Sequence, residues 1–245
     1  MHFGLYFLWI AGVSSFTLVG SYYARRTGRS DLLIGLYVAF ILTAQLLATK
    51  IATFDLGFGQ FSGPAGVLVF AVTFLLTDIV NERFGPRETR RMIGIAFVAQ
   101  VASAFFFWLA TQFDPAPGWG TDPVTWNAIF GLVPRITVAS WVAYLVSENL
   151  DVYVYSWFRK LTNGRHLWLR NAISTLPSLA VDSLIFVPLA FAGIPGFPIL
   201  LAIKGQIVVK WVVGIINIPF MYLNAAMLDH ENKNVEQCAD TNWPA

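Results

Sequence analysis

The chain has 245 residues, of which 56% are hydrophobic and 12% are charged, and its formal net charge is +2. Because soluble domains average about 25% charged residues, this composition excludes an ordinary soluble protein and indicates an all-α polytopic membrane protein. The single cysteine, Cys238, excludes a disulfide framework and a cysteine-based metal site. The sequence contains no P-loop and no GxGxxG fingerprint, so we expect no ATP hydrolysis by this chain alone, no cofactor and no metal.

Seven apolar segments, each about long enough to cross a bilayer, follow one another along the chain. They are residues 3–22, 32–49, 65–84, 92–112, 134–158, 171–193 and 199–228. The first lacks the basic start and the cleavage site of a signal peptide, so we expect a retained helix. Residues 51–63 and 113–133 are predicted connectors, and residues 229–245 form a polar tail.

The third segment carries the densest polar group of the sequence. Its apolar run is followed by Asp78, Asn81 and Glu82, and Gly85-Pro86 is predicted to stop the helix. A carboxylate within a membrane helix is costly, so by default it faces a partner or a hydrated cavity.

Twelve of the sixteen basic residues cluster after the first, third and fifth segments and in the tail. They are Arg25, Arg26, Arg29, Arg83, Arg87, Arg90, Arg91, Arg159, Lys160, Arg165, Arg170 and Lys233. Since basic loops face the cytoplasm, we predict a multi-pass protein of the cell membrane with its N-terminus outside and its C-terminus inside.

Polar residues recur at helical spacing on four segments, which predicts a shared polar cavity surrounded by lipid-facing apolar side chains. These stripes are Thr73, Thr77 and Asn81; Thr137, Ser140, Tyr144, Glu148 and Asp151; Ser174, Ser178 and Asp182; and Gln206, Lys210, Gly214 and Asn217. The alternative is that buried charges pair as structural pins and that hydroxyl groups bond to their own helix backbone.

Five stretches in the same order resemble the queuosine precursor transporter family, also called the putative vitamin uptake transporter family. They are TDIVNERFG (77–85), RITVASWVAY (135–144), LDVYVYSWFRK (150–160), RNAISTLPSLAVDSLIFVPLAF (170–191) and VVKW (208–211). The resemblance implies a six-helix core over residues 31–228, so residues 1–30 form an additional N-terminal helix with its basic loop. This gives a bundle of seven transmembrane helices with the tail at residues 229–245.

By the same resemblance, nine positions are implied to matter. They are Asp78, Asn81, Glu82, Arg135, Asp151, Ser174, Thr175, Asp182 and Lys210, and all but Asp151 are our predicted substrate-binding residues. The implied cargo is 7-cyano-7-deazaguanine, its aminomethyl form or queuine. One carboxylate could accept the adjacent N–H groups of a guanine-like edge, a role we assign to Asp182 or Glu82. Lys210 and Asn81 would donate to its acceptors, and Asp78 would balance an aminomethyl cation.

Three classes of function follow from these features. The first is a stand-alone transporter of a small 7-deazapurine in the lipid bilayer. The second is the substrate-binding subunit of an energy-coupling-factor-like uptake system for a vitamin or nucleobase, with Ala44 and Ala48 as a docking face of small residues. The third, an intramembrane enzyme, is disfavoured because the spans contain no HExxH, GxSxG or Cys/His pair. Nucleic acid is not an expected partner, and the sequence leaves a homo-oligomer open.

Overall fold

The computed structural model describes residues 3–57, 59–161 and 167–229. Seven helices and two strands follow in the order α1 (Phe3–Thr27), α2 (Asp31–Leu47), β1 (Ile51–Asp55), β2 (Gln60–Pro64), α3 (Val67–Ala110), α4 (Pro123–Phe130), α5 (Val133–Leu161), α6 (Leu167–Phe191) and α7 (Ile199–Asp229).

Among the described residues, four helical stretches are long and apolar enough to cross a bilayer. They are Gly4–Thr27, Arg87–Ala110, Pro123–Ser147 and Ile199–Ile216, and three shorter apolar helices are Asp31–Leu47, Val67–Asn81 and Thr175–Phe191. The helical membrane class is therefore confirmed, whereas the count of seven spans stays a prediction. The division into residues 1–30, 31–228 and 229–245 also stays a prediction, and the tail beyond Asp229 lies outside the described residues.

Helix α3 is bent at Gly85, which has φ 80° and ψ 176°. L-residues with a side chain rarely adopt this positive φ, so glycine suits the position. The predicted stop at Gly85-Pro86 is thus confirmed, and it divides α3 into two arms, residues 67–84 and 86–110.

A hydrogen bond joins the turn between α1 and α2 to the region just after this bend. The hydroxyl of Ser30 donates to Glu88 Oε1 at 2.5 Å, and Arg91 Nη1 lies 2.9 Å from the same carboxylate oxygen. The basic residues after α1 therefore lie at the same end of the helices as those around the bend. This grouping is the one that the predicted orientation requires, although the orientation itself stays a prediction.

The segment between α2 and α3 departs from the all-α prediction. It forms an antiparallel hairpin in which Phe54 pairs with Phe61 and Asp55 with Gln60. Gly57 has φ 85°, and its N–H donates to the Asp55 side chain at 3.1 Å, so a local turn closes the hairpin. We predicted an irregular connector because the two strands are short and lack a strict alternation of polar and apolar residues.

Strand β2 packs closely against the first turns of α7. A Cβ atom at Gly205 would lie 1.9 Å from the carbonyl oxygen of Ser62, and one at Gly63 would lie 3.5 Å from the backbone N of Gln206. Only glycine at position 205 allows the two backbones to approach this closely.

The start of α3 crosses the end of α2 in a similar way. A Cβ atom at Gly66 would lie 2.1 Å from the carbonyl oxygen of Ala44, and both Ala44 and Ala48 are buried. The pair of small residues that we predicted as a docking face for a partner is therefore covered by the chain itself.

The predicted connector before α5 contains the short helix α4. Asp122 caps its N-terminus, accepting from the hydroxyl of Thr125 at 2.8 Å and from its backbone N–H at 2.9 Å. These bonds from Thr125 stabilise the carboxylate and hold the pKa of Asp122 below its ordinary value.

Replacing Gly205 with alanine should destabilise the fold, because the added methyl group must displace the β2 backbone. Overpacking of this kind costs about 1–3 kcal/mol, and each kcal/mol lowers the Tm of a chain of this size by about 2–4 °C. Tryptophan fluorescence during heating of the purified protein in detergent measures the change. Gly35→Ala is the matched control, since a Cβ there meets no atom within 4 Å. An unchanged Tm for Gly205→Ala would contradict the tight contact.

The orientation can be tested with Cys238, which lies outside the described residues. A membrane-impermeant maleimide should label it only after the cells are permeabilised, because the tail is predicted to be cytoplasmic. In a Cys238→Ala background, Thr121→Cys should label in intact cells, since the connector before α4 is predicted to face outward. The reverse pattern of labelling would show that the predicted orientation is wrong.

Candidate binding cavity

A cavity with about 120 Å³ of space for the centres of water molecules lies between α2, both arms of α3, α5, α6 and α7. A bound water needs about 10–15 Å³ by this measure, so the space suits several waters or one small bicyclic molecule. Most of its lining is apolar or aromatic, with a few polar groups, which is typical of small-molecule sites. The lining residues used below are Gln45, Phe70, Phe97, Gln100, Trp141, Asp182, Gln206 and Lys210.

An ion pair between α6 and α7 forms one part of the wall. The ammonium group of Lys210 donates to Asp182 Oδ2, and the two residues are 0% and 3% exposed. Lys210 Nζ also lies 5.1 Å from the centroid of the Phe70 ring, on the first arm of α3. Each charge therefore has a compensating partner in a medium where an isolated charge would be very costly.

Gln206 lies one turn before Lys210 on the same face of α7. Its side chain is 4% exposed, and its Oε1 is buried without a hydrogen-bond partner among the described residues. A buried acceptor left unpaired costs about 1–3 kcal/mol, which is why such atoms are rare away from ligand or water sites. The position next to the ion pair makes this oxygen available to an N–H group in the cavity.

A second polar group lines the cavity from a different set of helices. Gln45 Nε2 on α2 donates to Gln100 Oε1 at 2.5 Å, and Trp141 Nε1 on α5 donates to the same oxygen at 3.1 Å. Because the indole nitrogen is only a donor, it fixes which end of the Gln100 amide is the oxygen. The Trp141 ring lies 4.6 Å from that of Phe97, centroid to centroid, which holds the indole in place.

Two of the predicted binding residues, Asp182 and Lys210, meet in this cavity. The other predicted residues that can be described lie elsewhere. Asp78 and Asn81 have exposed side chains, and neither they nor Thr175 belongs to the cavity lining. The side chains of Glu82 and Ser174 lie outside the described part of the structure. Binding by these five residues stays a prediction.

Arg135, in the first turn of α5, contacts the C-terminal end of α6 and does not line the cavity. Its Nε and Nη2 donate to the carbonyl oxygens of Leu189 and Ala192 at 2.9 and 2.5 Å. These carbonyl groups lie at the C-terminal end of α6, where a positive charge is also attracted to the negative end of the helix dipole. The arrangement supports a role in ending α6 and joining it to α5.

The polar stripes contribute unequally to the cavity. Those of α5, α6 and α7 supply lining residues, whereas the threonines of the α3 stripe bond to their own helix. The hydroxyls of Thr73 and Thr77 donate to the carbonyl oxygens of Phe70 and Phe74 at 2.6 and 2.7 Å. For α3 the structure therefore fits the alternative of local backbone bonding. Gln45 and Gln100 were not among the predicted binding residues, and the available signal was a glutamine inside an apolar span.

The amino-acid sequence is similar to those of known proteins. The sequence model described as putative vitamin uptake transporter matches residues 64–224, which include most of the cavity lining. The chain belongs to this family. The family resemblance of the sequence is thus confirmed.

The curated relatives of this chain agree with that assignment. A protein of Bacillus subtilis named probable queuosine precursor transporter is 32% identical over 69% of this chain and 74% of its own length. The Escherichia coli protein named queuosine precursor transporter is 30% identical over 64% of this chain and 67% of its own. A Haemophilus influenzae protein, also named probable queuosine precursor transporter, is 29% identical over 54% of this chain and 53% of its own length. No solved structure matches the chain.

A single and a double variant can test whether the charges of the ion pair, and not the shapes of its side chains, determine its effect on stability. Asp182→Asn alone should destabilise the protein by about 3–5 kcal/mol, because it leaves the charge of Lys210 buried without its partner. Adding Lys210→Met should restore most of the loss, since both charges are then gone. Heating in detergent, followed by fluorescence, gives the Tm of each variant.

The control is the exposed pair of Arg29 and Asp31, whose Nε and Oδ2 lie 2.7 Å apart. Asp31→Asn should leave the Tm nearly unchanged, because exposed pairs contribute about 0–1 kcal/mol. Equal losses in the single and double variants at positions 182 and 210 would contradict the buried pair.

Proposed function

We propose that this chain is a membrane transporter that imports a queuosine precursor, a 7-deazaguanine base, through the cavity beside Asp182 and Lys210. Family membership supports a transporter, and the names of the three relatives support the cargo. The observation that carries the proposal is the buried ion pair on the wall of a cavity of suitable size. Ionisable groups within a membrane protein that face a cavity commonly mark a substrate path.

The ion pair can bind a guanine-like edge without separating. A lysine ammonium has three N–H donors, and a carboxylate can accept about four hydrogen bonds. One contact between Lys210 and Asp182 therefore leaves donors for the O6 oxygen of the base and acceptors for its N1–H and N2–H groups. The unpartnered Oε1 of Gln206 adds a further acceptor on the same face.

The apolar part of the lining suits the rest of the base. The rings of Phe70, Phe97 and Trp141 line the cavity, and a flat heterocycle can stack on or contact the edge of such rings. A cavity with one charged region and several aromatic walls thus fits an aromatic base better than a sugar or a peptide.

The alternative is a substrate-binding subunit that depends on a separate ATPase. For this alternative the sequence offered Ala44 and Ala48 as a candidate docking face, and both residues are buried beside the start of α3. The relatives are named as transporters, which is also consistent with a protein that is not an enzyme. Purified chain in liposomes distinguishes the two functions, because only a stand-alone transporter would take up the base without a partner.

Uptake is the direct test, in cells that lack both 7-deazaguanine synthesis and their own transporter. With 7-cyano-7-deazaguanine, its aminomethyl form and queuine each supplied separately, expression of this chain should restore queuosine in tRNA from at least one of them. The stable double variant Asp182→Asn/Lys210→Met should lose roughly ten- to a hundredfold of the uptake rate, as expected for lost hydrogen bonds to charged groups. Asp31→Asn is the control and should transport normally.

Each result has a separate meaning. No rescue with any base, at normal expression, would contradict the cargo. Rescue that the double variant retains would support the cargo but show that the ion pair is not its binding site.

A further inference from the structure

The described residues that line the cavity carry no net formal charge. Among the described residues that line it, the only charged ones are Asp182 and Lys210, and these neutralise each other. Asp78, which the sequence offered as a second carboxylate for a cationic cargo, has an exposed side chain and is not part of the lining. A cationic group entering this apolar space would therefore lose its hydration without gaining a counter-charge.

The second polar group of the cavity presents amide atoms in place of a charge. Gln100 Oε1 accepts from both Gln45 and Trp141, so the Nε2 of Gln100 is turned away from these two donors. Gln45 uses its Nε2 for the same contact, which leaves its Oε1 for another donor. An amide pair held in this way offers one N–H donor face and one carbonyl acceptor to a neutral polar group.

We propose that Gln100, oriented by Gln45 and Trp141, is a specificity-determining residue that contacts the 7-substituent of the cargo and favours transport of uncharged forms over cationic ones. The inference rests on the proposed function and narrows its substrate class. With the guanine-like edge at the ion pair, the substituent is the part of the base left to meet the glutamines of α2 and α3. A nitrile nitrogen accepts the N–H of Gln100, whereas an ammonium group finds no carboxylate there.

Three bases that differ only at this substituent provide the test: the cyano, hydroxymethyl and aminomethyl forms of 7-deazaguanine. The last two have nearly the same shape and differ in charge. Uptake into cells expressing the full chain is measured by mass spectrometry of the retained base. The cyano and hydroxymethyl forms should be taken up with a kcat/KM about tenfold or more above that of the aminomethyl form. Equal or better uptake of the aminomethyl form would overturn the proposal.

The variant Gln100→Glu converts the amide to a carboxylate of the same shape that can still accept from Gln45 and Trp141. It should raise uptake of the aminomethyl form relative to the hydroxymethyl form by about tenfold or more. Gln112→Glu is the matched control, because Gln112 is exposed just beyond the end of α3, and its ratio should equal that of the wild type. A ratio that Gln100→Glu leaves unchanged, at normal membrane expression, would overturn the role of Gln100.

A second variant covers the case in which Gln100→Glu does not accumulate. Trp141→Phe keeps an aromatic wall and removes the N–H that orients the Gln100 amide. We expect the KM for the cyano form to rise about tenfold with a smaller change in kcat, and an unchanged KM would overturn the proposal. If the wild type takes up none of the three bases, the proposed function fails as well. If it takes them up without regard to charge, only the present inference fails.

Discussion

The pairing of Asp182 with Lys210 is the interaction on which the interior of the protein depends. A lone charge in an apolar helix bundle would be strongly destabilising, and the pair confines both charges to the contact between α6 and α7. This placement affects both the packing of the helices and the wall of the cavity. The pair joins two helices, and it also leaves donors and acceptors directed towards a cavity. The structural role and the proposed binding role can therefore belong to one contact.

The polar groups of the cavity come from α2, α3, α5, α6 and α7. The glutamine pair belongs to α2 and the second arm of α3, and the indole that orients it belongs to α5. The bend at Gly85 makes this possible, because it allows one helical stretch to supply Phe70 from its first arm and Gln100 from its second. Distant segments with single polar residues thus combine into a site that none of them would suggest alone.

The sequence predicted much of this arrangement and missed some of it for definable reasons. Apolar length predicted the helices, Gly85-Pro86 the bend, and helical spacing the inward placement of Asp182 and Lys210. Helical spacing does not determine which neighbour a face meets, so it could not show that the side chains of Asp78 and Asn81 are exposed and outside the cavity lining, and binding by them stays a prediction. The backbone carbonyls that accept from Arg135 could not be predicted either, because no sequence pattern marks them. The hairpin was missed because its short strands are held by packing on α7.

Two positions of the chain favour glycine for different reasons. At Gly205 the restriction is one of space, because the carbonyl of Ser62 occupies the position of a side chain. At Gly85 there is open space around the missing Cβ, and the restriction is the handedness of the backbone. A residue of D-configuration would find the conformation at position 85 to be ordinary extended backbone, the mirror image of a common L conformation. What favours glycine at position 85 is thus the chirality of amino acids and not the packing around the missing Cβ.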